Sequence, residues 1–142
     1  MKLPLLWLND YIKFKLKPDQ LAEVLTLSGS EVENIEDWQK KLAGVVVGQI
    51  KTITKHPQAN KLSLVKVNIG QRGKRLSIVC GASNIKVGQK VPVALAGTTL
   101  PNGLVIETVK IRGKESQGML CAEDELGLGA DHSGIMILPN KA

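Results

Sequence analysis

The sequence predicts a mainly β protein: a small closed antiparallel barrel preceded by a short α/β cap. After about residue 40 the 142-residue chain changes from helical periodicity to short alternating stretches separated by turn signals. The cationic side chains are concentrated in this later part, whereas both Trp, the Tyr and the Phe precede it. A chain of this length buries roughly 70% of its unfolded surface, which is enough for a real core.

The cap is predicted over residues 1–38. Apolar residues recur at helical spacing over residues 4–14, and a second helix begins at Pro18-Asp19 and ends at Ser28-Gly29, because Gly favours the position after a helix. Residues 31–36 alternate and predict a strand. The acidic pairs of this strand have no histidine or further acid at metal-ligand spacing, so they indicate a solvated face rather than an active site.

Residues 39–142 are the predicted barrel domain. Within it, Asn102-Gly103 is a hairpin signal, Pro92 indicates an edge position or a bulge, and residues 81–88 could hold one helical turn. The smallest closed sheet that fits is a five-stranded Greek-key barrel of the oligonucleotide/oligosaccharide-binding (OB) type. The predicted strands cover residues 42–54, 62–69, 75–80, 91–96, 104–112 and 119–122.

Charge is distributed very unevenly along the chain. Residues 40–114 contain fourteen Lys and Arg against the single acid Glu107, a net charge of +13, whereas residues 1–38 carry −3. Such a field attracts polyanions and favours nucleic acid, although a soluble surface is the simpler alternative. Because no aromatic residue follows Trp38, we expect contacts with the RNA backbone, 2′-hydroxyls and shape rather than stacking on bases.

The last predicted strands carry the most suggestive residues. Alternation over 104–112 places Val105, Glu107, Val109 and Ile111 on one face of the predicted strand. The last two residues of the other face are the cations Lys110 and Arg112. Gly113 and Gly118 then bracket a polar, donor-rich loop, an arrangement suited to a phosphate oxygen. A solvated hairpin explains the same spacing equally well. The predicted RNA-contacting residues are Lys110, Arg112, Lys114, Ser116 and Gln117, with Lys55 and Lys61 on a neighbouring loop.

No complete catalytic or metal site is recognisable in the sequence. His56 has no paired nucleophile and is interpreted as a hydrogen-bonding loop residue, and the run Asp131-His132-Ser133 cannot converge as a triad does. Cys80 and Cys121 lack a second metal-ligand pair, which fits buried thiols of a cytoplasmic protein. No apolar run approaches the roughly 18–20 residues of a membrane span, and no signal peptide is expected.

Several motifs resemble the β subunit of bacterial phenylalanyl-tRNA synthetase. The runs LPLLWL (3–8), LAEVLT (21–26) and GSEVE (29–33) are similar to its opening. Its second domain, which also resembles free-standing tRNA-binding proteins, is matched by HPQANKL (56–62), VCGA (79–82), VPVA (91–94) and RGKESQGML (112–120). Asn60 stands where the family usually has an acid, and Ala96 stands where many members have proline.

The resemblance implies an OB fold within an α2β2 ligase that attaches phenylalanine to its tRNA with ATP and magnesium. Aminoacylation would belong to the α subunit and editing to a later domain of the β chain. This chain would then be part of a longer polypeptide, without a catalytic centre, metal or cofactor of its own. Its partners would be tRNA, the α subunit and later domains of the same polypeptide.

Two alternatives to this role stay open. The first is a free-standing, structure-specific tRNA-binding protein, against which the cap over residues 1–38 argues. The second is a purely protein–protein docking domain, in which the basic surface no longer contacts RNA.

Overall fold

The computed structural model describes residues 1–141, and the chain divides into two compact units, Met1–Trp38 and Gln39–Ala142. The helices are Leu5–Tyr11 (α1), Pro18–Leu27 (α2) and Trp38–Lys41 (α3). The strands are Val45–His56 (β1), Ala59–Asn68 (β2), Arg75–Cys80 (β3), Lys90–Leu95 (β4), Val109–Ile111 (β5), Lys114–Ser116 (β6) and Gly118–Leu120 (β7).

Five strands of the second unit form one antiparallel sheet in the order β3-β2-β1-β4-β7. Alternate residues of these strands point inward, since successive side chains of a strand face opposite sides. They build the larger core, whose most buried members include Ile50, Val65, Val67, Ile78, Val91 and Val93. The predicted mainly β, OB-like architecture is confirmed.

Side chains bring the two ends of the sheet together. Gln117 donates its backbone N–H to the Ser77 carbonyl (2.8 Å), and its Oε1 accepts from the Ser77 N–H (3.0 Å). The Ser116 hydroxyl accepts from the Val79 N–H at 3.1 Å and donates to the Gly118 carbonyl at 3.0 Å. The seam between β3 and the β6–β7 segment is therefore held partly by side-chain groups that take the place of a strand ladder.

Pro92 lies in a central strand, so its predicted edge or bulge position is wrong. It pairs with Val47 of β1 at a position where the pair exchanges no hydrogen bonds, and its ring nitrogen faces away from β1. On the side of β7 the Pro92 carbonyl accepts from the Cys121 N–H. The Cys121 carbonyl, which a residue other than proline could bond in return, accepts from the Met136 N–H. The missing proline N–H thus leaves no buried acceptor unsatisfied.

A second, smaller core explains an error in the predicted strand over residues 104–112. Only β5 is strand there, and the facing of the earlier residues is reversed: Ile106 is buried, whereas Val105 is 54% exposed. Ile106 hydrogen-bonds with Gly97 and Thr98 and packs in a cluster outside the barrel. The buried members of that cluster are Ala94, Leu100, Ile106, Cys121 and Leu126.

Two further local predictions are corrected. Residues 81–88 form no helical turn; the Asn84 side chain instead exchanges two hydrogen bonds with the Ile135 backbone, at 2.9 and 3.1 Å. In the first unit both predicted helices are present, and Gly29 ends α2 at φ 98°. The strand predicted over residues 31–36 is absent, so the cap is helical with an irregular segment. None of the helices in residues 1–141 is long and apolar enough to cross a bilayer.

Candidate nucleic-acid interface

Most of the predicted contact residues lie on two turns of the second unit. The first turn joins β1 to β2 at Pro57-Gln58, with Lys55 before it and Lys61 after it. The second joins β5 to β6 and carries the remaining predicted cations. We call residues 55–61 and 110–114 the basic turns.

The β5–β6 connection is a two-residue hairpin rather than the predicted polar loop. Arg112 has φ 48° and Gly113 has φ 81°, and positive φ at both central residues is typical of a type I′ turn. Lys114 already belongs to β6 and pairs with Ile111. The hairpin places Arg112 at its tip, directly after Ile111 and two residues before Lys114.

The imidazole of His56 connects the two basic turns. It is 5% exposed, its Nε2 lies 3.1 Å from the Ile111 carbonyl oxygen, and its Nδ1 accepts from the Gln58 N–H at 3.1 Å. The interpretation of His56 as a hydrogen-bonding residue is confirmed. The turns also approach each other directly, because a Cβ added at Gly113 would lie 4.0 Å from Gln58 Oε1.

The cations of the basic turns face solvent and carry no intramolecular ion pair. Within residues 1–141 the structure gives no carboxylate partner to Lys55, Lys61, Lys110, Arg112 or Lys114. Glu115 lies opposite Lys110 in the β5–β6 ladder, but its carboxylate accepts from Gln117 Nε2 at 2.9 Å. These cations are thus available to an external anion, which is the condition for phosphate binding.

Ser116 and Gln117 are placed differently from the other predicted contacts. Ser116 is 2% exposed, and its hydroxyl already bonds two backbone groups of the barrel seam. Gln117 is half-buried and holds Ser77 through its Oε1. Both residues fix the segment after β5–β6 to β3, and the Gln117 amide nitrogen donates to Glu115. A direct RNA contact by either residue stays a prediction.

A groove that was not predicted from the sequence lies beside the second basic turn. An open concavity of about 570 Å³ lies on the outer face of β1, β2 and β3, with Lys114 and Gln117 on its border. Beside the apolar Leu64, Val65 and Ile78, its lining includes three hydroxyl side chains and one more cation, namely Thr52, Thr54, Ser77 and Lys66. The signal that could have found them is alternation, since they occupy outward positions of strands whose inward neighbours are apolar.

The other titratable groups lie in structural contacts. Burial, followed by the charge of Glu125, raises the pKa of Cys121 to about 12, and burial also raises the pKa of Cys80. His132 Nδ1 contacts the Asp124 carboxylate at 2.9–3.0 Å, and this hydrogen bond raises the pKa of the exposed imidazole. Asp131 accepts from the Ser133 hydroxyl and N–H, which lowers the pKa of its carboxyl. His132 therefore contacts Asp124 and not Ser133, as expected if the run 131–133 is no triad.

Comparison with known proteins gives one family match. The model of a family described as a putative tRNA binding domain matches residues 45–142. These residues include the whole five-stranded sheet and both basic turns.

Curated relatives match almost the full chain. The chain is 49% identical over 139 residues to the phenylalanine–tRNA ligase beta subunit of Nitratidesulfovibrio vulgaris. It is 51% identical over 134 residues to the protein of the same name from Francisella tularensis. These alignments cover 98% and 94% of this chain but only 17% of each relative's length.

A solved structure shares the fold. The crystal structure of a MetRS related protein from Pyrococcus horikoshii aligns with a TM-score of 0.53 at 20% identity. The alignment covers 77% of this chain and 93% of that one. This likeness supports the barrel topology described above.

Proposed function

The chain belongs to the family of putative tRNA binding domains, and from that premise we propose that its basic turns hold the phosphate backbone of a folded tRNA. The observation that carries this proposal is the joining of two turns by one buried imidazole, with the cations of both turns left without an acidic partner within residues 1–141. A surface built only for solubility has no need to hold like charges together, because their mutual repulsion is unfavourable.

The groove beside the turns suggests what the site recognises. Hydroxyl groups of Thr52, Thr54 and Ser77 can exchange hydrogen bonds with ribose 2′-hydroxyls, and Lys66 and Lys114 can meet phosphates. No aromatic ring is present in the second unit to stack on a base. The site would therefore read the shape and backbone of RNA rather than its bases.

The names of the similar curated proteins support a role in translation. Because matching residues extend over the first unit as well as the barrel, we propose a non-catalytic module of a phenylalanine–tRNA ligase beta subunit rather than a free-standing tRNA-binding protein. ATP, magnesium and aminoacylation would belong to the rest of that cytoplasmic α2β2 enzyme. The α subunit and later domains of the same polypeptide would be its protein partners.

A docking role is proposed for residues 1–38, as a domain distinct from the barrel. Helices α1 and α2 have no buried residue, and large apolar side chains of this unit face outward. Leu6 is 88% exposed, Leu27 is 81% exposed and Tyr11 is 73% exposed. Apolar surface of this kind is typical of a protein interface, and other domains of the proposed ligase are the partners that fit it.

The binding proposal is tested by titrating the chain with tRNA at several salt concentrations. If each cation of the basic turns meets one phosphate, a log–log plot of affinity against salt has a slope of about −4. Raising salt from about 50 to about 200 mM then weakens binding by roughly 250-fold. An affinity that does not change with salt would contradict the electrostatic account.

A competition with single-stranded homopolymers serves as the control for specificity. Because the second unit offers no aromatic platform, intact tRNA should compete better than poly(A) or poly(U) at equal nucleotide concentration. A homopolymer that competes better than tRNA would show that base stacking, not folded shape, governs recognition.

A further inference from the structure

His56 makes two hydrogen bonds that require one particular protonation arrangement. Nδ1 must be unprotonated to accept from the Gln58 N–H, and Nε2 must carry a proton to donate to the Ile111 carbonyl. A neutral imidazole with its proton on Nε2 satisfies both bonds at once. The ring is 5% exposed and sits at the last residue of β1, so packing also restrains its orientation.

The bond to Ile111 joins two hairpins that no ladder connects. β5 and β6 form a separate two-stranded sheet, which has no strand pairing with β1 or β2. In the part of the chain that the structure describes, no other hydrogen bond links the β1–β2 hairpin to the β5–β6 hairpin. Ile111 directly precedes Arg112, so the bond from His56 restrains the backbone at the tip of the second basic turn.

The positive charge on both basic turns opposes their close approach, which the bond from His56 to Ile111 restrains. Lys55 and Lys61 lie on the first basic turn and Arg112 and Lys114 on the second, and no carboxylate pairs with them within residues 1–141. Like charges push the two turns apart, whereas the bond to Ile111 holds them in one arrangement. A site that is arranged before the ligand arrives loses less entropy on binding.

We propose that His56 is a positioning residue for tRNA, which fixes the spacing of the two basic turns so that their cations meet neighbouring phosphates together. This inference rests on the proposed function and adds to it a residue that does not itself touch the RNA. It predicts that loss of the His56–Ile111 bond lowers tRNA affinity because the cations of the second basic turn are no longer held in position.

His56→Asn is the test variant. The shorter Asn side chain can still accept from the Gln58 N–H, as Asn does in tight turns, but it does not reach Ile111. We expect tRNA affinity of the full chain to fall by about tenfold and the salt slope to flatten by about one unit, the loss of roughly one phosphate contact. His132→Asn is the control, because within residues 1–141 the His132 ring bonds to the Asp124 side chain and to neither basic turn, and it should bind as the unaltered chain does.

A double-mutant cycle separates positioning from a general loss of structure. In the Arg112→Ala/Lys114→Ala background, His56→Asn should have much less effect, because two of the three cations of the second basic turn are already absent. His56→Gln, whose longer amide can approach the Ile111 carbonyl, should recover part of the lost affinity. Thermal melts show whether each variant is folded at the temperature of the titration. If His56→Asn does not fold, the tRNA affinity of His56→Gln is compared with that of His132→Gln instead.

The possible outcomes distinguish this inference from the proposed function. If Arg112→Ala/Lys114→Ala weakens binding but the folded His56 variants bind normally, the positioning role is wrong and the proposed function stands. If the effects of His56→Asn and Arg112→Ala/Lys114→Ala on the binding free energy are fully additive, the positioning role is also wrong. If neither the His56 variant nor the Arg112/Lys114 variant changes tRNA affinity, the proposed function itself fails.

Discussion

Replacing Arg112 and Lys114 together by Ala is expected to weaken tRNA binding by about 100-fold. A charge-assisted contact contributes about 1.5 kcal/mol or more, so that each lost contact costs roughly tenfold in affinity. The salt slope should become shallower by about two units, one for each lost phosphate contact. Both side chains are exposed, and stability should stay within about 0.5 kcal/mol of the unaltered chain. Filter binding at several salt concentrations, beside a thermal melt, measures both quantities.

The chain contains a closely matched control for this variant. Arg72 and Lys74 lie in the turn between β2 and β3, at the other end of β2 from the first basic turn. Both are exposed, and Arg72 has φ 49°, almost the value of 48° at Arg112. Arg72→Ala/Lys74→Ala removes the same charge from the same kind of backbone, but it should lower affinity much less. Equal losses in the two variants would show that net charge, and not the basic turns, accounts for binding.

Gly118→Ala is expected to destabilise the barrel strongly. A Cβ at Gly118 would lie 2.6 Å from the backbone oxygen of Ala94, a distance that real Cβ atoms essentially never show. Since Gly118 pairs with Leu95, the new methyl group must push β7 away from β4. Overpacking with a backbone shift costs about 3 kcal/mol, which lowers the melting temperature by roughly 10 °C or more in a domain of this size. Differential scanning calorimetry measures the change.

Gly81→Ala is the control for this substitution. Gly81 directly follows β3 and, like Gly118, has no positive φ, but the atom nearest to an added Cβ is Leu62 Cδ2 at 3.4 Å. That methyl group is the mobile end of a side chain, so the chain should accommodate Ala with a change of less than about 1 kcal/mol. If Gly118→Ala melts at the same temperature as Gly81→Ala, the close approach of β7 to β4 described here is incorrect.

The barrel strands were predictable because each one carries its own alternating pattern. Arg75–Cys80 was predicted with the observed bounds, since its inward residues are apolar and two of its three outward residues are polar. The segment 104–108 alternates equally well but was assigned the wrong face. Ile106 packs in the cluster outside the barrel, and no local pattern reveals that a second core exists. The strand predicted over residues 31–36 failed for a related reason, because alternation without a pairing partner does not make a sheet.

The candidate site was only partly predictable. A cation exposed at a turn can be recognised from sequence, as Lys55 and Arg112 were. The sequence looks the same whether a polar residue such as Ser116 faces a ligand or closes a barrel seam. Only its hydrogen bond with the Val79 backbone distinguishes these two positions. Lys66 was not predicted because it is separated in sequence from the basic turns. Folding brings it to the lining of the same groove as Lys114.

Photo-crosslinking of tRNA to the full-length polypeptide in its assembled complex tests the central claim most directly. Thiouridine-substituted tRNA would be crosslinked at moderate salt, and the attached peptides would be mapped by mass spectrometry. The account predicts crosslinks to residues 55–61 and 110–114, and their loss in the Arg112→Ala/Lys114→Ala variant. Crosslinks elsewhere in a correctly assembled, tRNA-bound complex, with none between residues 45 and 141, would contradict it and leave protein docking as the role of this chain.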